Sequence, residues 1–95
     1  AVFYILLSVT EPLHGYGIMQ KVEQMSHGRV NLAAGTLYGA TSTLVERGWI
    51  EPAEGDEPRR KAYHITELGL TAARQELDRL RELVANGEQV LERGR

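Results

Sequence analysis

The sequence predicts a mainly α-helical domain that carries one two-stranded β-hairpin and closes with a long amphipathic helix. Apolar residues recur at helical spacing through the first half of the chain, which is typical of helices that share one core. Around residues 49–65 alternation with a period of two replaces that spacing, and the helical period returns after residue 66. A length of 95 residues fits a single domain, without internal repeats or low-complexity tracts.

Three helices are predicted ahead of the hairpin. Their bounds are residues 1–9, 16–25 and 34–47. Pro12 breaks the chain after the first helix, whereas Gly28 and Gly48 stand where left-handed residues commonly end the second and the third. Ala33 precedes the third helix, so we expect that helix to begin without a side-chain cap.

The hairpin is predicted from two short segments and the turn-rich tip between them. Residues 49–51 form the first strand, followed by Pro52, which is tolerated at a strand end or on an edge strand. Residues 61–66, KAYHIT, alternate in character and form the returning strand. The tip ends in three consecutive bases, Arg59, Arg60 and Lys61. The net charge of −2 therefore conceals a small basic tip that a phosphate can meet.

The last helix carries a heptad pattern. Thr66 is the predicted N-cap, with Glu67 near the positive end of the helix. Apolar or small residues then step by three and four along a seam made of Leu70, Ala73, Leu77, Leu80, Val84, Gly87 and Leu91. Glycine lowers helix propensity by about 1 kcal/mol, so the sequence leaves open whether the helix is continuous past Gly87 or bends or frays beyond it.

Such a seam predicts association with a second copy of the chain. We therefore divide the sequence into a winged unit over residues 1–66 and a C-terminal dimerisation helix over residues 67–95. The predicted dimer interface consists of Phe3, Leu70, Ala73, Leu77, Leu80, Val84 and Leu91.

Composition and spacing argue against an enzyme. The chain has no cysteine, and His14, His27 and His64 stand far apart, without a carboxylate or second histidine at metal-ligand spacing. Neither a phosphate-cradling glycine loop nor a nucleophile elbow is present. We predict no catalytic residue, no metal and no cofactor.

The apolar N-terminus is predicted to be a buried helix. The run AVFYILLSV is too short for a membrane span, which needs about 20 residues. A basic leader and a small-residue cleavage site are both missing, so we do not expect a signal peptide. The expectation is a cytoplasmic protein without a membrane partner.

The third helix predicts a surface that another molecule covers. Its stretch GTLYGATST, residues 35–43, places glycine and hydroxyl residues where a stable exposed helix would carry Glu and Lys. Three helices and a hairpin are also the order of a winged helix-turn-helix, whose third helix enters the DNA major groove while the wing touches the flanking backbone. Backbone N–H groups at the start of the second helix can hold a phosphate. The predicted contacts with double-stranded DNA are Gly15, Tyr16, Thr36, Tyr38, Gly39, Ser42, Thr43, Arg59, Arg60, Lys61 and Tyr63.

Plainer interpretations of the same residues stay open at this point. For the third helix, the alternative is that Tyr38 packs in the core and that the hydroxyl groups are only solvated. For the hairpin tip, the alternative is a solvated turn whose bases pair with Asp56 and Glu57. A winged-helix module that binds only protein is the alternative function. Three adjacent bases at the tip favour DNA over that alternative.

Three stretches and the closing helix carry a family resemblance. The stretches are LLSVTEPLHGYGIMQKVE, GTLYGATSTLVERGWIE and RRKAYHITELG. With them the chain resembles the PadR-like transcriptional regulators, and its short closing helix is similar to the subfamily with a compact C-terminus. The resemblance implies a dimeric, cytoplasmic, bacterial regulator, usually a repressor, that binds a palindromic operator.

Some members of that family bind flat aromatic effectors. Phe3 and Tyr4 of the first helix are the candidates for lining such a pocket against the last helix of the partner. Packing in the chain's own core is the alternative for both side chains.

Overall fold

The computed structural model describes residues 1–54 and 61–93, and within these ranges the chain forms four helices and three strands. In chain order they are α1 (Val2–Ser8), β1 (Leu13–His14), α2 (Gly15–Met25), α3 (Ala34–Glu46), β2 (Ile50–Ala53), β3 (Ala62–Ile65) and α4 (Glu67–Leu91). The predicted order of three helices, a hairpin and a long closing helix is confirmed, and it is the order of a winged helix-turn-helix.

The sheet has three strands, so the prediction of a two-stranded wing was wrong. Its strand order is β1-β3-β2, and both pairings are antiparallel. Leu13 pairs with Tyr63, which places the short β1 against the returning strand of the hairpin. A strand of two residues is too short to show alternation, and Pro12 and Gly15 around it are typical of a turn. The edge strand β2 accommodates Pro52, as predicted.

The ends of α2 and α3 follow their local sequence signals. Gly28 and Gly48 have positive φ values of 78° and 75°, so each adopts the left-handed conformation predicted for it. α3 begins after Ala33 without a side-chain hydrogen bond at its cap, as predicted. The first N–H groups of α3 therefore have no side-chain cap from the residue that precedes it.

One apolar core joins α1, α2, α3 and the sheet. Its fully buried side chains include Ile5, Val9, Ile18, Val22, Leu44 and Ile50. Trp49 is half-buried against this core, and the Arg47 guanidinium lies 5.3 Å from its ring centroid. The core fixes α3 against the sheet, which positions the outer side of α3 next to the wing.

Gly69 allows the start of α4 to pack closely against the backbone at Trp49, next to the wing. The Thr66 hydroxyl caps α4 by accepting a hydrogen bond from the Gly69 N–H at 3.0 Å, and the Thr66 N–H donates to the Trp49 carbonyl oxygen at 3.0 Å. A Cβ atom at Gly69 would lie 2.0 Å from that carbonyl oxygen and 2.8 Å from Ile65 Cγ1. Only glycine fits here without displacement of the backbone, a requirement that the sequence analysis missed.

Beyond Ala73 most of the apolar stripe of α4 lies open to solvent. The helix runs through Gly87 to Leu91, so it does not fray at the glycine where the sequence left its continuity open, and the molecule extends 58 Å along its longest axis. Leu70 and Ala73 pack against the chain's own core, whereas Leu80 is half-buried. The large apolar side chains exposed on this part of α4 are Leu77 at 38%, Val84 at 58% and Leu91 at 81% on the seam, with Leu83 at 53% and Val90 at 66% beside it.

Candidate nucleic-acid interface

The start of α2, one side of α3 and strand β3 border a groove of about 590 Å³. The pairing of His14 with Ala62 in the sheet ties the start of α2 to the wing and so creates this groove. Its lining residues are His14, Gly15, Tyr16, Met19, Ala34, Leu37, Tyr38, Thr41, Lys61 and Tyr63. Half of this lining belongs to the DNA contacts predicted from the sequence, namely Gly15, Tyr16, Tyr38, Lys61 and Tyr63.

All predicted contacts on α3 lie on its exposed side. Leu37, Thr41 and Leu44 are buried and attach the helix to the core. The predicted contacts Thr36, Tyr38, Gly39, Ser42 and Thr43 are all exposed. Tyr38 exposes 63% of its surface, so the alternative that it packs in the core is wrong.

Gly35 and Gly39 leave the outer side of α3 without side chains at two positions. A Cβ atom at Gly35 or Gly39 would meet no atom within 4 Å, so packing inside the described chain does not require glycine at either position. Glycine inside a helix is less favourable than alanine by about 1 kcal/mol. Gly35 was missed in the sequence analysis, although its position one turn before Gly39 is a signal that could have identified it.

The start of α2 is organised by His14. The Gly17 N–H donates a hydrogen bond to His14 Nδ1 at 3.1 Å, so the imidazole is the N-cap of α2. Beside it Tyr16 exposes 62% of its surface, and a Cβ atom at Gly15 would make only an ordinary contact of 3.5 Å with Leu37. This capping role is not predictable from the sequence, because histidine is not among the residues preferred at this position.

The wing contributes Lys61 and Tyr63 to this surface. Lys61 is exposed and Tyr63 is half-buried against the core. Both also line a second groove of about 390 Å³, together with Ser42, Val45, Pro52, Ala53 and Ala62. Two further predicted contacts, Arg59 and Arg60, lie outside the described residues. The structure thus places Lys61 between the two grooves that flank α3.

Residues predicted for the dimer and the effector lie elsewhere. Phe3 and Tyr4 are half-buried and pack against the core from α1, which also packs against α4. On the polar side of α4 the Arg79 guanidinium hydrogen-bonds the Glu76 carboxylate, which lowers the pKa of Glu76 and raises the pKa of Arg79. The Arg79 side chain is exposed and the Glu76 side chain is partly exposed, so this surface pair contributes little to stability.

Clusters of metal-ligating side chains and membrane-spanning helices are both absent from the described part of the chain. Within residues 1–54 and 61–93, no three side chains of the types that ligate metals come together. No helix in those ranges combines the length and the apolar character needed to cross a bilayer.

Known proteins share this arrangement. The model of the Transcriptional regulator PadR-like family matches residues 3–75. Over 58 residues the chain is 38% identical to an uncharacterized 37.1 kDa protein in transposon TN4556 of Streptomyces fradiae. That match covers 61% of this chain but only 16% of the Streptomyces protein, so the chain spans a small part of that relative's length.

Two solved structures are similar over most of the chain. A PadR family transcriptional regulator from Eggerthella lenta is 27% identical with a TM-score of 0.69, covering 99% of this chain and 82% of the other. Bacillus subtilis PadR in complex with operator DNA is 21% identical with a TM-score of 0.66, covering 80% of this chain and 45% of the other. At that lower identity the second likeness concerns the fold alone.

Proposed function

The chain belongs to the transcriptional regulator PadR-like family, and on this premise we propose that it is a sequence-specific regulator that binds a palindromic operator in double-stranded DNA. One observation carries the proposal. The exposed side of α3 bears small and hydroxyl residues, and it continues into a groove that the start of α2 and Lys61 also line. A helix surface with small side chains can approach base edges closely. Hydroxyl groups, backbone N–H groups and a lysine can form hydrogen bonds with phosphate oxygens. We place this regulator in the bacterial cytoplasm and assign it the role of a repressor, as its family resemblance implies.

A homodimer is part of this proposal. Its support is the exposed stripe on α4, because each large apolar side chain is worth about 1.5–3 kcal/mol when it is fully removed from water. Pairing of two α4 helices would set the distance between the two copies of α3. A symmetric dimer would then read two half-sites about one helical turn apart.

Release by a small aromatic or hydrophobic effector completes the proposal. Phe3 and Tyr4 support it, since they lie on α1, which packs against α4. A ligand at these side chains would alter the contact that orients the dimerisation helix. Dissociation of a preformed DNA complex by flat aromatic compounds tests this, and Phe3→Ala should lose the response.

A winged-helix module that binds only protein is the second candidate. The observations that favour it are the net charge of −2 and an α3 without Lys or Arg. The two candidates differ in the salt dependence of binding to random duplex DNA. A DNA-binding regulator releases counterions and its affinity falls steeply with salt, whereas a protein-binding module shows no such slope.

Gly39→Glu tests the DNA-binding surface directly. The substitution places a bulky negative charge on the outer side of α3, where no described atom lies within 4 Å of the new Cβ. We expect loss of binding to a duplex selected from a random pool, with the fold retained, because glutamate is the better helix former. Gln75→Glu on exposed α4 is the control of equal charge.

The two variants are compared by electrophoretic mobility shift and circular dichroism. Loss of binding in Gly39→Glu with binding retained in Gln75→Glu supports the proposed surface. Equal binding by both variants, or unfolding of Gly39→Glu, would show that α3 does not meet DNA through this side.

A further inference from the structure

The side chains on the outer side of α3 limit how it can read a base sequence. Between Ala34 and Glu46 the helix contains no Arg, Lys, Asn or Gln. Guanine is usually recognised by two hydrogen bonds from Arg or Lys, and adenine by two from Asn or Gln. If α3 lies in the major groove, as proposed above, it has neither means of discrimination. Its specificity must come from hydroxyl groups, from apolar contacts and from close fit.

Thr43 has a hydroxyl group that is already engaged. Its Oγ1 donates a hydrogen bond to the Gly39 carbonyl oxygen at 3.0 Å, one turn earlier in the same helix. A hydroxyl has a single proton to donate, so Thr43 has none left for the O4 acceptor of a thymine or the O6 acceptor of a guanine. The side chain is nevertheless exposed. Its oxygen can still accept a hydrogen bond, and its methyl group remains for apolar contact with a base.

The surface at Gly39, one helical turn before Thr43, is open. Thr43 follows Gly39 by four residues, so the two are neighbours on one side of the helix. A Cβ atom at Gly39 would have no described atom within 4 Å, which leaves room for a group projecting from the DNA. In the major groove the group of matching size and polarity is the 5-methyl group of thymine, which proteins recognise by apolar contact.

We propose that the Thr43 methyl group contacts the 5-methyl group of a thymine in each operator half-site, and that this contact sets the base preference of α3 at that position. This inference rests on the proposed DNA-binding function. Removal of one methyl group from such a contact should weaken binding about fourfold per half-site. The effect should be the same whether the methyl group is removed from the DNA or from the protein.

The test pairs changes in the DNA with changes in the protein. A duplex is first selected from a random pool, and its thymines are then replaced one at a time by deoxyuridine, which lacks only the 5-methyl group. Thr43→Ser removes the methyl group and keeps the hydroxyl, whereas Thr43→Val keeps a methyl group and removes the hydroxyl. Thr71→Ser is the matched control, since the exposed Thr71 of α4 makes the same type of bond, from Oγ1 to the Glu67 carbonyl oxygen at 3.1 Å.

The readout is the ratio of affinities for the thymine and deoxyuridine duplexes, measured by fluorescence anisotropy. The ratio should be about four at one thymine per half-site for the unmodified protein, for Thr43→Val and for Thr71→Ser. It should fall to about one for Thr43→Ser. A duplex that binds tightly without any such thymine, or an undiminished ratio in Thr43→Ser, overturns the inference and leaves the DNA-binding function standing. If no duplex is enriched, the function falls and this inference falls with it.

Discussion

Replacing Gly69 with alanine is expected to destabilise the protein, although alanine is the better helix former. The added Cβ atom would lie 2.0 Å from the Trp49 carbonyl oxygen and 2.9 Å from its carbonyl carbon. Atoms of the backbone cannot move aside as the end of a side chain can, so the start of α4 must shift away from the wing. That shift would stretch the hydrogen bond from the Thr66 N–H to the same oxygen, now 3.0 Å.

The magnitude follows from three contributions. Overpacking of this kind costs about 1–3 kcal/mol, and a weakened hydrogen bond adds about 0.5–1.5 kcal/mol. The higher helix propensity of alanine stabilises the variant by about 1 kcal/mol in the opposite direction. The net loss is therefore about 0.5–3.5 kcal/mol, which lowers the Tm of a domain of this size by about 2–28 °C.

Gly39→Ala provides the control with the opposite sign. A Cβ atom at Gly39 meets no described atom within 4 Å, so alanine there should raise stability by about 1 kcal/mol. Thermal unfolding followed by circular dichroism at one fixed protein concentration measures both variants. If Gly69→Ala is as stable as Gly39→Ala, the close approach of α4 to Trp49 is not a feature of the folded protein.

Three other substitutions test separate parts of the molecule. Replacing Arg59, Arg60 and Lys61 together with alanine should weaken binding to every duplex and flatten its salt dependence by up to about three units of slope; an unchanged slope would remove the wing from the interface. Leu77→Asp combined with Leu80→Asp should yield a monomer that fails to bind the selected duplex, as measured by sedimentation equilibrium and mobility shift; a double variant that still sediments as a dimer would show that the α4 stripe is not the interface. His14→Ala should lower stability by about 1 kcal/mol through loss of the α2 cap, whereas His14→Asn, which can still cap, should lose less; equal losses in urea unfolding would contradict the capping role.

Much of the fold was predictable because its signals are local. The apolar periodicity of α2 and α4 and the glycines that end α2 and α3 are read from neighbouring residues alone. The exposed side of α3 was predictable for a related reason. Glycine and hydroxyl residues are poor helix formers, so their presence at Thr36, Gly39 and Thr43 indicated a role other than helix stability.

The remaining features depend on contacts between distant parts of the chain. Strand β1 forms because Leu13 pairs with Tyr63 in the sheet. A strand of two residues is too short to show an alternating pattern in the sequence. Position 69 requires glycine because the carbonyl group of Trp49 lies against it. Trp49 is far from Gly69 in the sequence, and only the fold brings the two residues together. The groove between α2 and β3 has the same origin, since it forms only when β1 joins the sheet.

A hydroxyl-radical footprint on a duplex selected from a random pool tests the proposed function most directly. A homodimer that places one copy of α3 in each half-site should protect two segments on one face of the DNA, with centres about 10 base pairs apart or a multiple of that spacing. Gly39→Glu should abolish both protected segments together. Protection of a single segment, protection that Gly39→Glu leaves intact, or no protection at all would contradict a symmetric DNA-binding regulator that acts through α3.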